Sequence, residues 1–136
     1  MTRHAITGPP AGRRAYPLDM PLVRPEDRAT GEPLPGWKGQ FFHSATMTFS
    51  HYEIAAGASL HEHHHENEEV WHVIDGTLVL TVDGVDLEAS AGCAVVVPGD
   101  HLHGARAVTD CKVIVADSPV RPSLPGGITA PSFRDE

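Results

Sequence analysis

A dense run of metal-ligand side chains sits in the middle of the chain: His61-Glu62-His63-His64-His65-Glu66-Asn67-Glu68-Glu69. A terminal histidine tract would read as an expression tag. This one is internal, between Ala55-Ala56-Gly57 and the strand-like Val70-Trp71-His72-Val73-Ile74, and belongs to the fold. Side chains alternate along a strand, so His61, His63 and His65 share one face while Glu62, His64 and Glu66 share the other. Two imidazoles two residues apart on one face reach one ion. A short turn after His65 brings Glu69 back on the neighbouring strand. Imidazole nitrogen and carboxylate oxygen together suit first-row transition metals. The competing reading is a solvated acidic loop with incidental histidines.

The elements that must position these groups read as strands. Phe41 to Ala45 and Thr46 to Ile54 alternate with a period of two. One face carries Met47, Phe49, His51 and Glu53, the other Thr48, Ser50, Tyr52 and Ile54, and the pattern leaves open which points inward. Val70–Ile74 runs into Asp75-Gly76, a favoured tight-turn pair, and Thr77–Val82 into Asp83-Gly84. Val85–Ala89, Cys93–Val97, Gly104–Val108 and Cys111–Ala116 complete a set of short strands at hairpin spacing. No long amphipathic helix interrupts them, which indicates an all-β sandwich or barrel. Residues 1–39 carry Pro9, Pro10, Pro17, Pro21, Pro25, Pro33 and Pro35. Proline removes ladder donors and blocks helix interiors, so this segment is expected to be an extended Pro-rich N-terminal arm. Residues 40–118 are expected to form the barrel, and 119–136 a C-terminal strap or tail.

Size and charge narrow the function. At 136 residues the chain is one domain with room for a core. A net charge of −8 argues against nucleic acid as a partner. No apolar run is long enough to span a membrane, and Met1–Gly12 has no apolar signal region. The expectation is a soluble, cytoplasmic protein. Cys93 and Cys111 lie in strand-like segments and read as small buried thiols rather than a disulfide. Apolar residues from Tyr16 to Val23 suggest that the arm, or the first strands, covers a second subunit in a homodimer.

Gly57 to Gly76 forms a unit. Gly57 is followed by five residues, His63-His64-His65, three residues, Glu69, six residues and Gly76. This resembles the first signature of the cupin superfamily, G-x5-H-x-H-x3-E-x6-G, at every fixed position. Gly92, Pro98 and His103 match the second, G-x5-P-x-G-x2-H-x3-N, with Asp100 where a glycine is usual and Ala107 where an asparagine is usual. The resemblance covers about Phe41 to Ser118 and names a small single-domain cupin. It implies an all-β double-stranded β-helix, or jelly-roll cupin barrel. It also implies a divalent transition metal (Fe, Mn, Ni, Co or Zn), one per chain, held by His63, His65, Glu69 and His103.

Neighbouring residues divide by parity. His61 shares the ligands' parity, so it lines the cavity mouth or faces solvent as a loop residue. His64 and His72 have the opposite parity and are expected outside, and His101 on the surface. Trp71 and Val73 share parity with Glu69 and are expected in the wall. Asp117-Ser118-Pro119 with Arg121 resembles, over a short stretch, a strand end of single-domain cupins, including some that act on unsaturated uronic sugars. Capping and strapping is the expected role there. The leading functional expectation is a metal-dependent enzyme on a small-molecule substrate, dioxygenase-like first. A non-redox isomerase, ring-opening enzyme or lyase on a sugar acid comes second, and a non-catalytic ligand- or metal-binding module third. His61, His51 and Tyr52 are the candidates for a general acid or base.

Overall fold

The computed structural model describes residues 22–133. Ten strands form two antiparallel sheets. In chain order they are β1 (Ala29–Leu34), β2 (Trp37–His43), β3 (Thr48–Ile54), β4 (Ser59–His63), β5 (Glu68–Asp75), β6 (Thr77–Val82), β7 (Val85–Ser90), β8 (Ala94–Val97), β9 (His103–Ala107) and β10 (Cys111–Ser118). The six-stranded sheet has the order β1-β2-β3-β10-β5-β8, and the four-stranded sheet β4-β9-β6-β7. This is the expected double-stranded β-helix. No helix among the described residues is long and apolar enough to cross a membrane.

Period-two burial settles the inward face. Thr48, Ser50, Tyr52 and Ile54 of β3 are buried, whereas Phe49, His51 and Glu53 are not. Val113, Val115 and Asp117 of β10, and Glu69, Trp71 and Val73 of β5, point the same way. Aromatic rings fill the interior edge to face: Trp37 lies 5.2 Å from Tyr52 and 6.1 Å from Trp71, and Phe41 lies 5.6 Å from Tyr52. Such pairs add to the burial of area alone.

Strand structure begins earlier than the sequence suggests. β1 and the start of β2 fall within the segment expected to be an irregular arm. Pro33 is accommodated because β1 is an edge strand and its register slips between Gly31 and Leu34, where a missing N–H breaks no interior ladder. Tyr16 to Pro21, the heart of the expected arm, lies outside the described residues. At the other end, the segment after β10 packs as a strap. Leu124 is buried with the core, and the backbone N–H groups of His43 and Phe133 donate to the carbonyls of Pro131 and His43. Both cysteines are free; Cys111 is buried as expected, but Cys93 is exposed.

Candidate metal centre

His63 and His103 are direct cross-strand partners on β4 and β9, with ring centroids 4.4 Å apart. His65, just beyond β4, places its ring 5.6 Å from His63 and 5.1 Å from His103. One nitrogen from each of the three lies within 4.8 Å of the others. Glu69 enters from β5 on the opposite sheet. Its Oε2 is 3.0 Å from His65 Nε2, and its Oε1 is 3.2 Å from His103 Nε2. Of the four residues expected as ligands, His63, His65 and His103 gather in one group, and Glu69 joins it from the other sheet through His65 and His103.

The hydrogen bonds around them fix orientation. His63 Nδ1 and His103 Nδ1 face the carbonyls of His61 and His101 at 3.1 and 2.9 Å. Each carbonyl holds the proton on Nδ1 and leaves the Nε2 lone pair directed inward, the usual outer support of a ligating histidine. Nε2 of His65 and of His103 are buried and make no hydrogen bond, although a Glu69 oxygen lies 3.0 Å from the first and 3.2 Å from the second. Buried nitrogens without partners are costly, and a shared cation satisfies both. Trp71 Nε1 donates to Glu69 Oε1 at 2.8 Å, and Arg121 Nη1 donates to Oε2 at 3.4 Å. The donor set, three imidazoles and a carboxylate without a thiolate, fits the divalent first-row ions.

A small cavity of about 40 Å³ opens beside the cluster, lined among others by Trp37, Ser50, Tyr52, Trp71, Asp117 and Arg121. Asp117 pairs in register with Glu69 across β10 and β5, so two carboxyl groups face each other inside the barrel. Burial, then the neighbouring Glu69, pushes Asp117 up to about 9, so it is a neutral acid at neutral pH. Burial works to raise Glu69 as well, but His103, His65, Asp117 and Trp71 outweigh it and hold this carboxylate well below its ordinary value. Burial lowers His63. For His103, burial works to lower it, but Glu69 and the His101 carbonyl prevail and raise it. Burial pushes the Tyr52 phenol far up, so it stays protonated. The Arg121 guanidinium lies 3.7 Å from Asp117 Oδ1, and the Arg121 backbone N–H donates to Thr48 Oγ1 at 2.8 Å. The residue thus straps the tail and lines the cavity at once.

The remaining candidates separate clearly. Tyr52 is in the cavity. His51 is on the outer face of its sheet, beside Arg28 and away from the histidine cluster. His61 is exposed, because a register shift between Leu60 and His63 breaks the parity that would have turned it inward; it contributes its carbonyl instead. His64, His72 and His101 are exposed, as expected. Asp100 has φ 63°, the left-handed region in which glycine is cheapest and aspartate is tolerated, and its N–H donates to the His65 carbonyl at 2.7 Å. The departure from the second signature thus keeps the turn that holds His65. Asp117, expected to cap and strap, lies in the site, and its parity with Val113 and Val115 is the signal that could have placed it there. Asn67, buried and donating to the Pro119 carbonyl, carried no sequence signal.

Comparison with known proteins adds to this geometry. The Cupin domain family matches residues 50–117, half of the chain. Over 55 residues the chain is 38% identical to dimethylsulfoniopropionate lyase DddW of Ruegeria pomeroyi, a match that spans 40% of this chain and only 36% of the lyase. The structure of KdgF from Halomonas sp. superposes with a TM-score of 0.70 at 24% identity, over 76% of this chain and 96% of that one. An RmlC-like cupin from Shewanella frigidimarina gives 0.69 at 26% identity, over 74% and 92%. Salicylate 1,2-dioxygenase of Pseudoaminobacter salicylatoxidans gives 0.59 at 16% identity, over 62% and 27%, and shares the fold alone.

Proposed function

The chain belongs to the cupin family, and from that premise we propose a metal-dependent enzyme acting on a small organic acid. His63, His65, Glu69 and His103 would hold one divalent first-row ion. The observation that carries this reading is the pair of buried Nε2 atoms of His65 and His103, which make no hydrogen bond and lie 3.0 and 3.2 Å from Glu69 oxygens. When bound, the ion would supply Lewis-acid polarisation of a substrate oxygen or an open position for dioxygen.

The chain's own residues favour non-redox chemistry, an elimination or isomerisation. Arg121 supplies a guanidinium in an aromatic-walled cavity and would pair with a substrate carboxylate. Asp117 holds a proton on a carboxyl group whose Oδ1 has no hydrogen-bond partner, within reach of the same space. A buried acid that is neutral at neutral pH is suited to donate a proton to a leaving or rearranging group. Trp71 fixes Glu69, and Trp37 and Tyr52 wall the cavity against bulk water. Similarity to a lyase over part of the chain, and the resemblance of the Asp117–Arg121 segment to cupins of uronic sugars, support the same class.

Purification without added metal, followed by elemental analysis and turnover assays on small carboxylic acids with and without oxygen, tests the proposal. Metal near one per chain and turnover under anaerobic conditions are expected. Strictly oxygen-dependent turnover would move the reading to the dioxygenase chemistry expected first from sequence. Metal content unaffected by loss of His63 and His65 would overturn the site.

A further inference from the structure

The chain has two tryptophans, Trp37 on β2 and Trp71 on β5, and both are buried, at 2% and 3% exposure. Their rings stand at 87° to one another, 6.1 Å between centroids, and both line the small cavity beside the histidine cluster. Their indole N–H groups differ. That of Trp71 donates to Glu69. That of Trp37 is buried and has no hydrogen-bond partner. An indole nitrogen can only donate, and a buried donor left unmet is costly. The ring is held firmly in this position. Trp37 pairs with Leu34 on β1 and with Ile54 on β3, and the carbonyl of Gly36 accepts from the N–H of Ala55 at 2.9 Å. Filling the space between Tyr52 and Trp71 explains an aromatic ring here, but not one that carries a buried donor.

A second unmet group lines the same cavity. Oδ1 of Asp117 is buried and makes no hydrogen bond, with Arg121 Nη1 3.7 Å away. The cavity, about 40 Å³, has room for about three water-sized groups. One unmet donor and one unmet acceptor in so small a space are the complement of a hydroxyl, which accepts from the first and donates to the second. Pro33 and Leu34 of β1 and Pro125 of the strap line the cavity as well. Gly126, at φ 71°, lies so close to Pro33 that a Cβ there would sit 3.2 Å from the Pro33 Cα, so the strap rests directly on the hairpin that carries Trp37. An ordered water would meet both groups in the empty site, and a substrate hydroxyl displaces it while reproducing its hydrogen bonds.

We propose that Trp37 is a specificity residue: its indole N–H, together with Oδ1 of Asp117, receives a hydroxyl group carried by the acid that Arg121 binds. The assignment rests on the organic-acid function proposed for the site and narrows it to hydroxy acids. A site whose buried polar groups are set for a hydroxyl rejects the analogue that lacks it, because those groups are then left unpaired.

Glycolate and acetate are the smallest pair of acids that differ by one hydroxyl. With isotope-labelled indole nitrogens, the Zn(II)-loaded chain gives two side-chain signals by nuclear magnetic resonance, and Trp71→Phe identifies that of Trp37 as the one that stays. Saturating glycolate should move the Trp37 signal downfield and slow its exchange with solvent, and acetate should do neither. Affinities for the two acids come from calorimetry. In Trp37→Phe, folded by circular dichroism, the preference for glycolate over acetate should fall about fivefold, the worth of one buried hydrogen bond, with acetate affinity held. Equal weakening of both acids would mark a packing role alone and overturn the proposal. A preference that survives in Trp37→Phe would belong to chelation by the metal ion and overturn it too. Should Trp37→Phe fail to fold, the wild-type signal decides alone: glycolate bound without a response at Trp37 overturns the proposal and leaves the organic-acid function standing. If neither acid binds, that function falls, and the role of Trp37 with it.

Discussion

Trp71 Nε1 donates a 2.8 Å hydrogen bond to Oε1 of Glu69, two residues earlier on the same inward face of β5. Period-two alternation puts both on that face, and burial of both, at 3% exposure each, makes the indole N–H the fixed reference for the carboxylate. Such support of a ligand is typically worth 10- to 100-fold in metal affinity. Trp71→Phe keeps most of the ring's packing and removes the donor. Its affinity for Zn(II) or Ni(II), by competition with a chromogenic chelator, should fall about tenfold or more with the fold intact by circular dichroism. Unchanged affinity would show that Glu69 needs no such support, or is not a ligand.

Metal occupancy should depend steeply on pH. The three imidazoles must be neutral to ligate, and protons compete below their reference value of about 6.5. Glu69 raises His103, so that nitrogen is the first to be taken by a proton as pH falls. Burial lowers His63, which resists longer. Bound metal measured from neutrality to pH 4 should decline from the neutral end, and Glu69→Gln, which removes a proposed ligand, should move the decline to higher pH. Occupancy flat to pH 4 would exclude the histidines as principal ligands.

Asp117 ties stability to pH in the metal-free protein. Its folded value, about 9, lies above its ordinary carboxylate value of 3.8. Between those values the folded state holds a proton that the unfolded chain has released, so stability falls as pH rises through this window. Glu69 acts in the opposite sense at acid pH: its depressed value means stability is lost as pH falls through the carboxylate range. In the presence of chelator, the melting temperature of the wild type should drop from pH 5 to pH 9 by more than that of Asp117→Asn. Parallel curves would remove Asp117 as a neutral buried acid.

How far the sequence could be read depends on where one period rules. From β3 to β10 the alternation and the Asp75-Gly76 and Asp83-Gly84 turns locate every strand to within a few residues, and the spacing of His63, His65 and Glu69 gives a cluster that the structure assembles. The same rule leaves His61 between cavity mouth and solvent, and the bulge between Leu60 and His63, which resets the parity, puts it on the solvent side. It leaves His51 open, since a strand with aromatic residues at both parities does not declare its inner face; only pairing with β10 does so. Pro33 hid β1, because edge position is a property of the assembled sheet and not of the residue. Arg121 lies beyond the last strand, and its arrival in the cavity depends on Thr48, 73 residues away, holding its backbone.

On the proposed function, that distant anchor makes the strap a lever on substrate binding. Leu124 is 6% exposed and seats the strap in the core three residues after Arg121. Leu124→Ala should cost about 2–3 kcal/mol of stability, the lower part of the range for buried leucine, seen as a shift of the denaturant midpoint. None of the four residues proposed as ligands lies on the strap, so metal affinity should fall only by the support that Arg121 gives Glu69. Arg121→Lys keeps the charge but loses the planar fork that pairs a carboxylate in two hydrogen bonds. For an organic-acid substrate both changes should raise KM, Arg121→Lys by about tenfold, the 1.4 kcal/mol scale of a charge-assisted hydrogen bond. Leu124→Ala should do so only in part, because a loosened strap still carries the guanidinium. If Arg121→Lys left KM unchanged while Leu124→Ala raised it, the strap would act by closing the cavity, and the substrate would owe nothing to the charge of Arg121.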